Sequence, residues 1–284
     1  MSETSQGNFH RLDKPICFLH TFKTGGISFG NYLQDTFGEE NTVNGLREGL
    51  SPNTDKRDPD TGTVSTRHLN YKDILKFNYI RGHIPYSYWA QVPVEEQPYF
   101  TTLIRDPIAR IVSYYHFSKS WKGYQSERIN SLRQNCQSIS DFVNLPTYEF
   151  NSNLDNFQCK FFSGIEVIDG DIDYARHSEE DYFSMALENL ERFYLVGITE
   201  LSEISLMLLA NKMGLPAPTS TYRINTFEQN VQSEQHKTIT REQLSLQDYQ
   251  VLYERNHYDI QLRNHFITKL NQDYIRAAGL ANKY

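Results

Sequence analysis

The chain of 284 residues has few cysteines, no long apolar run and no excess of basic residues. Its three widely spaced cysteines contain no Cys-x-x-Cys pair, which suggests neither a disulfide framework nor a zinc site and favours reduced thiols in the cytoplasm. No run approaches the ~20 apolar residues of a membrane span, and the N-terminus lacks the apolar core of a signal peptide. The net charge of −7 argues against nucleic acid and anionic membranes as partners. We therefore expect a cytoplasmic protein with neither of these partners.

Strands alternate with helices along the sequence. Short apolar runs typical of buried strands lie at 15–20, 78–84, 99–104 and 193–197. Helical spacing of apolar residues follows the first of them over 27–37, and such alternation predicts an α/β fold with a central, mostly parallel sheet flanked by helices. No linker divides the chain, so we expect a loose arm over 1–14 and one domain over 15–284. Residues 49–66, rich in proline, glycine and charge, are predicted to form a long loop.

The first candidate site is the segment HTFKTGGIS, between the first predicted strand and helix. A glycine turn before a helix can present successive backbone N–H groups to an anion, and Lys23 adds a full positive charge. The residues assigned to this anion cradle are Lys23, Thr24, Gly25, Gly26, Ile27 and Ser28. The lysine precedes the glycines, so the segment is neither the ATPase loop nor the dinucleotide fingerprint. Taken alone, it also fits a plain strand-to-helix turn with a surface lysine.

The second candidate site is the segment LIRDPIARIVSYY, in which Arg105 follows a strand and Asp106-Pro107 opens a helix. Ligands of open parallel sheets bind beyond the carboxyl ends of the strands, so Arg105 is expected to share a rim with Lys23. Arginine can hold a phosphate with two parallel hydrogen bonds, and Ser113 lies about two turns into the helix. The alternative without a ligand is that Arg105 is a helix-end residue paired with Asp106.

Together and in this order, the two segments resemble the PAPS-dependent sulfotransferases. The resemblance covers roughly residues 15–275 and implies a P-loop-like sulfotransferase fold, with PAPS as sulfuryl donor and PAP as product. It implies that the first segment holds the 5′-phosphosulfate and that Arg105 and Ser113 hold the 3′-phosphate. Phe22 departs from the pattern, because the family usually has proline there. A late loop of the family implies weaker nucleotide contacts from Arg223 and Asn225.

Other segments resemble the uronyl 2-O- and chondroitin-type branch of carbohydrate sulfotransferases and its bacterial relatives. They are RGHIPY at 81–86, DNFQCKFFSG at 155–164 and LVGITE at 195–200. The resemblance implies that His83 is the general base, and an imidazole with a pKa near 6.5 is a usable base around neutrality. Lys23 suits the charge that develops on the leaving phosphate in an in-line transfer. His20 is a competing base, and His116 is expected at the surface.

The acceptor is less well defined by the sequence. The acidic chain has no basic run for a heparin-like polyanion, which favours a small molecule, such as a bacterial natural product, or a sugar, with a hydroxyl or nitrogen nucleophile. No metal-ligand spacing appears, and the resembling family needs no metal. Two alternatives stay open at this point, a P-loop kinase-like phosphotransferase and a non-catalytic module that binds PAPS or PAP.

Overall fold

A computed structural model describes residues 12–47, 64–65, 70–120, 132–145, 154–165, 177–218 and 242–279. Its strands are β1 (Ile16–Leu19), β2 (Thr42–Arg47), β3 (Val64–Ser65), β4 (Tyr79–His83), β5 (Tyr99–Ile104) and β6 (Leu195–Ile198). They form one sheet in the order β3-β2-β4-β1-β5-β6, and every described pairing is parallel. The predicted α/β architecture is therefore confirmed. The residues of β1 and β6 are all buried, as expected for a parallel sheet covered on both faces.

Residues 132–135 are helical, and ten further helices have both ends within these ranges. They are α1 (Gly26–Phe37), α2 (Tyr71–Ile74), α3 (Tyr86–Ala90), α4 (Pro107–Ser120), α5 (Ile139–Val143), α6 (Phe157–Phe162), α7 (Glu179–Glu191), α8 (Ser202–Met213), α9 (Leu246–Arg255) and α10 (His257–Ala277). A short 3₁₀ turn, Thr199–Leu201, joins β6 to α8. No described helix has the length and apolar character needed to cross a membrane.

The ends of the helices follow local sequence signals. Asp106 caps α4 as predicted, because its Oδ1 accepts a hydrogen bond of 2.8 Å from the N–H of Ala109. Ser178 and Asp181 form a reciprocal capping box at the start of α7. At the end of α8, Gly214 adopts a left-handed backbone with φ 64°, a conformation that favours glycine. These caps fix where each helix begins or ends.

Two strands differ from the sequence prediction. Strand β2 was not predicted, because Asn44 and Gly45 interrupt its apolar pattern and a register shift separates Val43 from Leu46. Residues 64–65, inside the predicted loop over 49–66, pair with the end of β2 as strand β3. The remainder of that predicted loop lies outside the described residues.

The order of the strands places the candidate segments together. Strand β1 lies between β4 and β5, so the carboxyl ends of all three reach the same edge of the sheet. The Thr102 hydroxyl on β5 donates to the Leu19 carbonyl on β1 at 2.6 Å and ties the two strands near this edge. The edge therefore carries the loop after β1, His83 at the end of β4 and Arg105 after β5.

Candidate active site

The loop between β1 and α1 turns sharply at two left-handed residues. Lys23 has φ 65° and Gly25 has φ 72°. A lysine with positive φ is uncommon, and such strain is often retained where a loop has a function. At the following residue, Gly26, a Cβ atom would lie 2.5 Å from His20 Cδ2 and 2.8 Å from Phe18 Cζ. Glycine at this position therefore lets the N-terminus of α1 approach the side chains of β1.

The Thr24 side chain is buried and forms hydrogen bonds within the loop. The buried Thr24 hydroxyl donates to the Thr21 carbonyl at 3.0 Å and accepts from the Thr21 hydroxyl at 3.1 Å. From the other side, the Thr199 hydroxyl donates to the Thr24 carbonyl at 2.6 Å. The Thr24 side chain thus shapes the loop in this structure. Ser28 is buried in the first turn of α1, whereas Ile27 beside it is 44% exposed.

The Lys23 side chain reaches helix α4. Its Nζ lies 4.3 Å from the centroid of the Phe117 ring, a cation–π contact. Burial and, to a smaller degree, the neighbouring Arg105 lower the pKa of Lys23 to about 8. The amine is therefore still mostly protonated at neutral pH. Ser113 lies four residues before Phe117 and so shares the face of α4 that Lys23 approaches.

Arg105 lies at the same edge of the sheet as Lys23, as the sequence predicts, and it also contacts the loop directly. Its Nη1 donates to the Lys23 main-chain carbonyl at 2.8 Å. Arg110, one turn into α4, is instead completely buried and lies 4.5 Å from the centroid of the Phe157 ring. Burial lowers the pKa of Arg110 to about 10, while Asp259 favours its charged form.

His83 lies on the other side of the same loop. Its Nδ1 is 2.5 Å from the His20 carbonyl oxygen, and because a carbonyl can only accept, this nitrogen carries the proton. The Phe22 ring stacks on His83 at 4.1 Å and 7°, and the His20 ring stacks at 4.5 Å and 29°. The imidazole of His83 is thus fixed in one tautomer and orientation. Its Nε2 is the acceptor atom when the ring is neutral.

The two other candidate histidines, His20 and His116, are both buried. The His20 ring is buried between Phe18 and His83. His116 was expected at the surface, and this prediction is wrong, because only 2% of the residue is exposed. Its Nε2 accepts from the Glu242 N–H at 3.0 Å, and its Nδ1 bonds to the Val112 carbonyl at 2.8 Å. His116 therefore fixes the segment that enters α9 against α4.

Several side chains form hydrogen bonds with the main chain around the site, and no sequence motif of their own identifies them. The Glu200 carboxylate accepts from the Asp106 N–H at 2.9 Å, and Gln158 pairs with the backbone of Arg105. Arg81 on β4 donates to the Gly26 carbonyl at 3.2 Å and anchors the start of α1. The resemblance marked the segments that contain these residues, but it assigned no role to their side chains. Arg223 and Asn225 lie outside the described residues, and the described part has no group of metal-ligating side chains.

The fold and this edge of the sheet agree with a family match. A family model described as Sulfotransferase family matches residues 11–264, and the chain belongs to that family. It is 27% identical to human heparan sulfate 2-O-sulfotransferase 1 over 214 residues, which cover 69% of this chain and 54% of the relative. It is 26% identical to the mouse protein of the same name over 206 residues, 68% and 53% of the two chains. The predicted resemblance to the uronyl 2-O-type branch is confirmed.

A fly relative extends this comparison. The chain is 23% identical to heparin sulfate O-sulfotransferase of Drosophila melanogaster over 183 residues, which are 63% of this chain and 50% of the relative. The chain spans about half the length of the curated relatives that it matches. The prediction of a cytoplasmic protein is wrong, because the heparan sulfate sulfotransferases it resembles are Golgi lumenal enzymes.

Proposed function

We propose that the protein transfers a sulfuryl group from PAPS to a hydroxyl group of a sugar. One observation carries the proposal: His83 and Arg105, from strands on either side of β1, both bond to main-chain carbonyls of the loop after β1. The bonds are His83 Nδ1 to His20 at 2.5 Å and Arg105 Nη1 to Lys23 at 2.8 Å. A candidate base and two cations therefore surround one anion cradle, as sulfuryl transfer requires.

The residues of the loop and of α4 fit a polyanionic donor. Lys23 and Arg105 supply two positive charges, and the N-terminus of α1 supplies backbone N–H groups and positive potential. We assign Lys23 to the 5′-phosphosulfate, and Arg105 and Ser113 to the 3′-phosphate. PAPS supplies a sulfuryl group already activated by a phosphate leaving group. The protonated amine of Lys23 then stabilises the negative charge that develops on this phosphate.

His83 has the features of a general base. Its Nδ1–H donates to the His20 carbonyl, so the lone pair of the neutral ring lies on Nε2. Because Phe22 and His20 cover the two faces of the ring, a hydroxyl can approach only its edge. Nε2 accepts the hydroxyl proton as the acceptor oxygen attacks sulfur. His20 is the weaker candidate because its own ring is buried in the stack.

The acceptor that we propose is a hydroxyl of a glycan. The relatives are named for heparan sulfate and heparin sulfate, and this favours a sugar over an unrelated small molecule. The net charge of −7 is an average over the whole chain and describes no single surface. It is therefore a weaker argument against an anionic glycan than the sequence alone suggests.

The test is a transfer assay with ³⁵S-labelled PAPS and separate acceptors: desulfated heparan sulfate, desulfated chondroitin and a set of small phenols and amines. We expect label in a glycan with the unchanged protein and no label with the Lys23→Ala protein. Label in a phenol or amine alone would contradict the sugar acceptor. Binding of ATP with magnesium but not of PAP, measured by calorimetry, would replace the sulfotransferase proposal with the kinase alternative.

A further inference from the structure

Gln158, the second residue of α6, pairs with the main chain of Arg105. Its side chain is completely buried. The amide oxygen accepts from the Arg105 N–H at 2.9 Å, and the amide nitrogen donates to the Arg105 carbonyl at 2.9 Å. The side chain thus bonds both polar groups of one residue, as an antiparallel neighbour does in a sheet.

The place of Arg105 in the chain explains why this pairing matters. The pairing of β5 with β6 ends at Ile104 opposite Ile198, and α4 begins at Pro107. Arg105 therefore lies between a strand and a helix, where neither element fixes its φ and ψ. The Gln158 amide supplies the missing constraint. Since backbone dihedrals set the direction of a side chain, this amide also sets where the guanidinium points.

Gln158 is itself held by a buried carboxylate. Asp259, on α10, accepts from the Gln158 main-chain N–H at 3.0 Å and from the Cys159 N–H at 2.8 Å. It also accepts from the Gln158 amide nitrogen at 3.4 Å. Because a carboxylate only accepts, Asp259 turns the amide nitrogen toward itself and leaves the amide oxygen for the Arg105 N–H. The orientation of the amide is thus fixed by its surroundings.

We infer that Gln158 is a positioning residue, which directs the Arg105 guanidinium to the loop after β1 and to the phosphate of the donor. The chain of contacts runs from Asp259 through Gln158 and Arg105 to the Lys23 carbonyl. The part of this inference that concerns phosphate rests on the proposed function. Gln158 itself contacts only protein atoms in this network, so its effect on the donor is exerted through Arg105.

The test compares Gln158→Met with a matched control, Gln97→Met. Gln97 is also buried, and its amide nitrogen donates to the Trp89 and Val92 carbonyls at 3.0 and 2.9 Å, away from the loop. We expect Gln158→Met to weaken PAP binding about tenfold in calorimetry, the value of roughly one charge-assisted hydrogen bond. Its KM for PAPS should rise more than its kcat falls. The control should lose thermal stability but keep its affinity for PAP.

A double-mutant cycle separates positioning from a general structural role. If Gln158 acts through Arg105, then Gln158→Met should not weaken PAP binding further in an Arg105→Ala background. A second variant, Gln158→Glu, keeps the size of the side chain and an acceptor for the Arg105 N–H, but replaces the amide nitrogen that faces both the Arg105 carbonyl and Asp259. A protonated carboxyl has one O–H and can donate to only one of these two acceptors, so PAP affinity should lie between those of the unchanged and Gln158→Met proteins.

The outcomes distinguish this inference from the proposed function. An unchanged protein that does not bind PAP overturns the proposed function. PAP binding that is equal in the unchanged and Gln158→Met proteins overturns the positioning role alone, and so does full additivity with Arg105→Ala. If neither Gln158 variant yields folded protein by circular dichroism, the Gln158 side chain is required for folding, and the positioning role is overturned.

Discussion

The guanidinium of Arg105 donates to the main-chain carbonyl of Lys23 at 2.8 Å. Arg105 therefore fixes the backbone of the loop after β1 at Lys23. Lys23 is one of the two left-handed residues, with φ 65°, at which this loop turns sharply. Arg105 also lowers the pKa of the Lys23 amine, through electrostatic repulsion added to the effect of burial. One residue thus acts on both the shape and the charge of the cradle.

Arg105→Ala should weaken PAP binding by roughly 100-fold, since in the proposed assignment it removes an arginine that holds the 3′-phosphate with two parallel hydrogen bonds, and it frees the Lys23 carbonyl. Arg105→Lys should recover only part of this affinity, because an ammonium cannot reproduce the two parallel bonds. Calorimetry with PAP measures both effects. The control is Arg276→Ala, at a side chain that is 70% exposed on α10. Undiminished affinity in Arg105→Ala would remove Arg105 from the donor site.

The lowered pKa of Lys23 predicts a pH dependence of donor binding. The amine is protonated below about pH 8 and loses its charge as the pH rises through that value. PAP affinity should therefore change little from pH 7 to 7.5. At pH 9 it should be about tenfold weaker than at pH 7, as expected for one titrating group. Binding to Lys23→Met should be weaker at all pH values and flat over the same range. An unaltered slope in Lys23→Met would assign the titration to another group.

His83→Ala should lose turnover and keep its affinity for PAP. Removal of a general base typically lowers kcat by about 10²–10⁴-fold, whereas the contacts proposed between Lys23, Arg105 and PAP do not involve His83. The informative control is His20→Phe, which keeps the main-chain carbonyl that accepts from His83 Nδ1 and keeps an aromatic ring in the stack. We expect His20→Phe to remain active. Loss of activity in His20→Phe with full activity in His83→Ala would exchange the two roles.

The sequence predicted the parts of the site that depend on local pattern. The loop at Lys23 and the arginine before α4 follow continuous apolar strands, and a parallel sheet brings their ends to one edge. The supporting contacts are not local: Gln158 lies 53 residues from Arg105, and Thr199 lies 175 residues from Thr24. A buried amide or hydroxyl carries no periodic signal of its own. Such contacts emerge only from tertiary packing, which one sequence does not reveal.

Gly26→Ala tests the close packing between α1 and the histidine stack. The added Cβ would lie 2.5 Å from the His20 ring, so the ring must move and the stack with His83 must change. We expect a loss of about 1–3 kcal/mol in the free energy of unfolding, the usual effect of overpacking, together with a fall in kcat. Chemical denaturation and the transfer assay measure the two quantities.

The control is Gly214→Ala at the end of α8, where φ is +64° and a Cβ would meet no atom within 4 Å. Its strain should cost about 1 kcal/mol or more in stability, because a residue with a side chain is disfavoured in the left-handed region. It should leave kcat unchanged, since Gly214 has no contact with the histidine stack. If both variants lost stability and neither lost kcat, the position of the His20 ring would not matter for turnover. A selective fall of kcat in Gly26→Ala would link the packing of α1 to the orientation of His83.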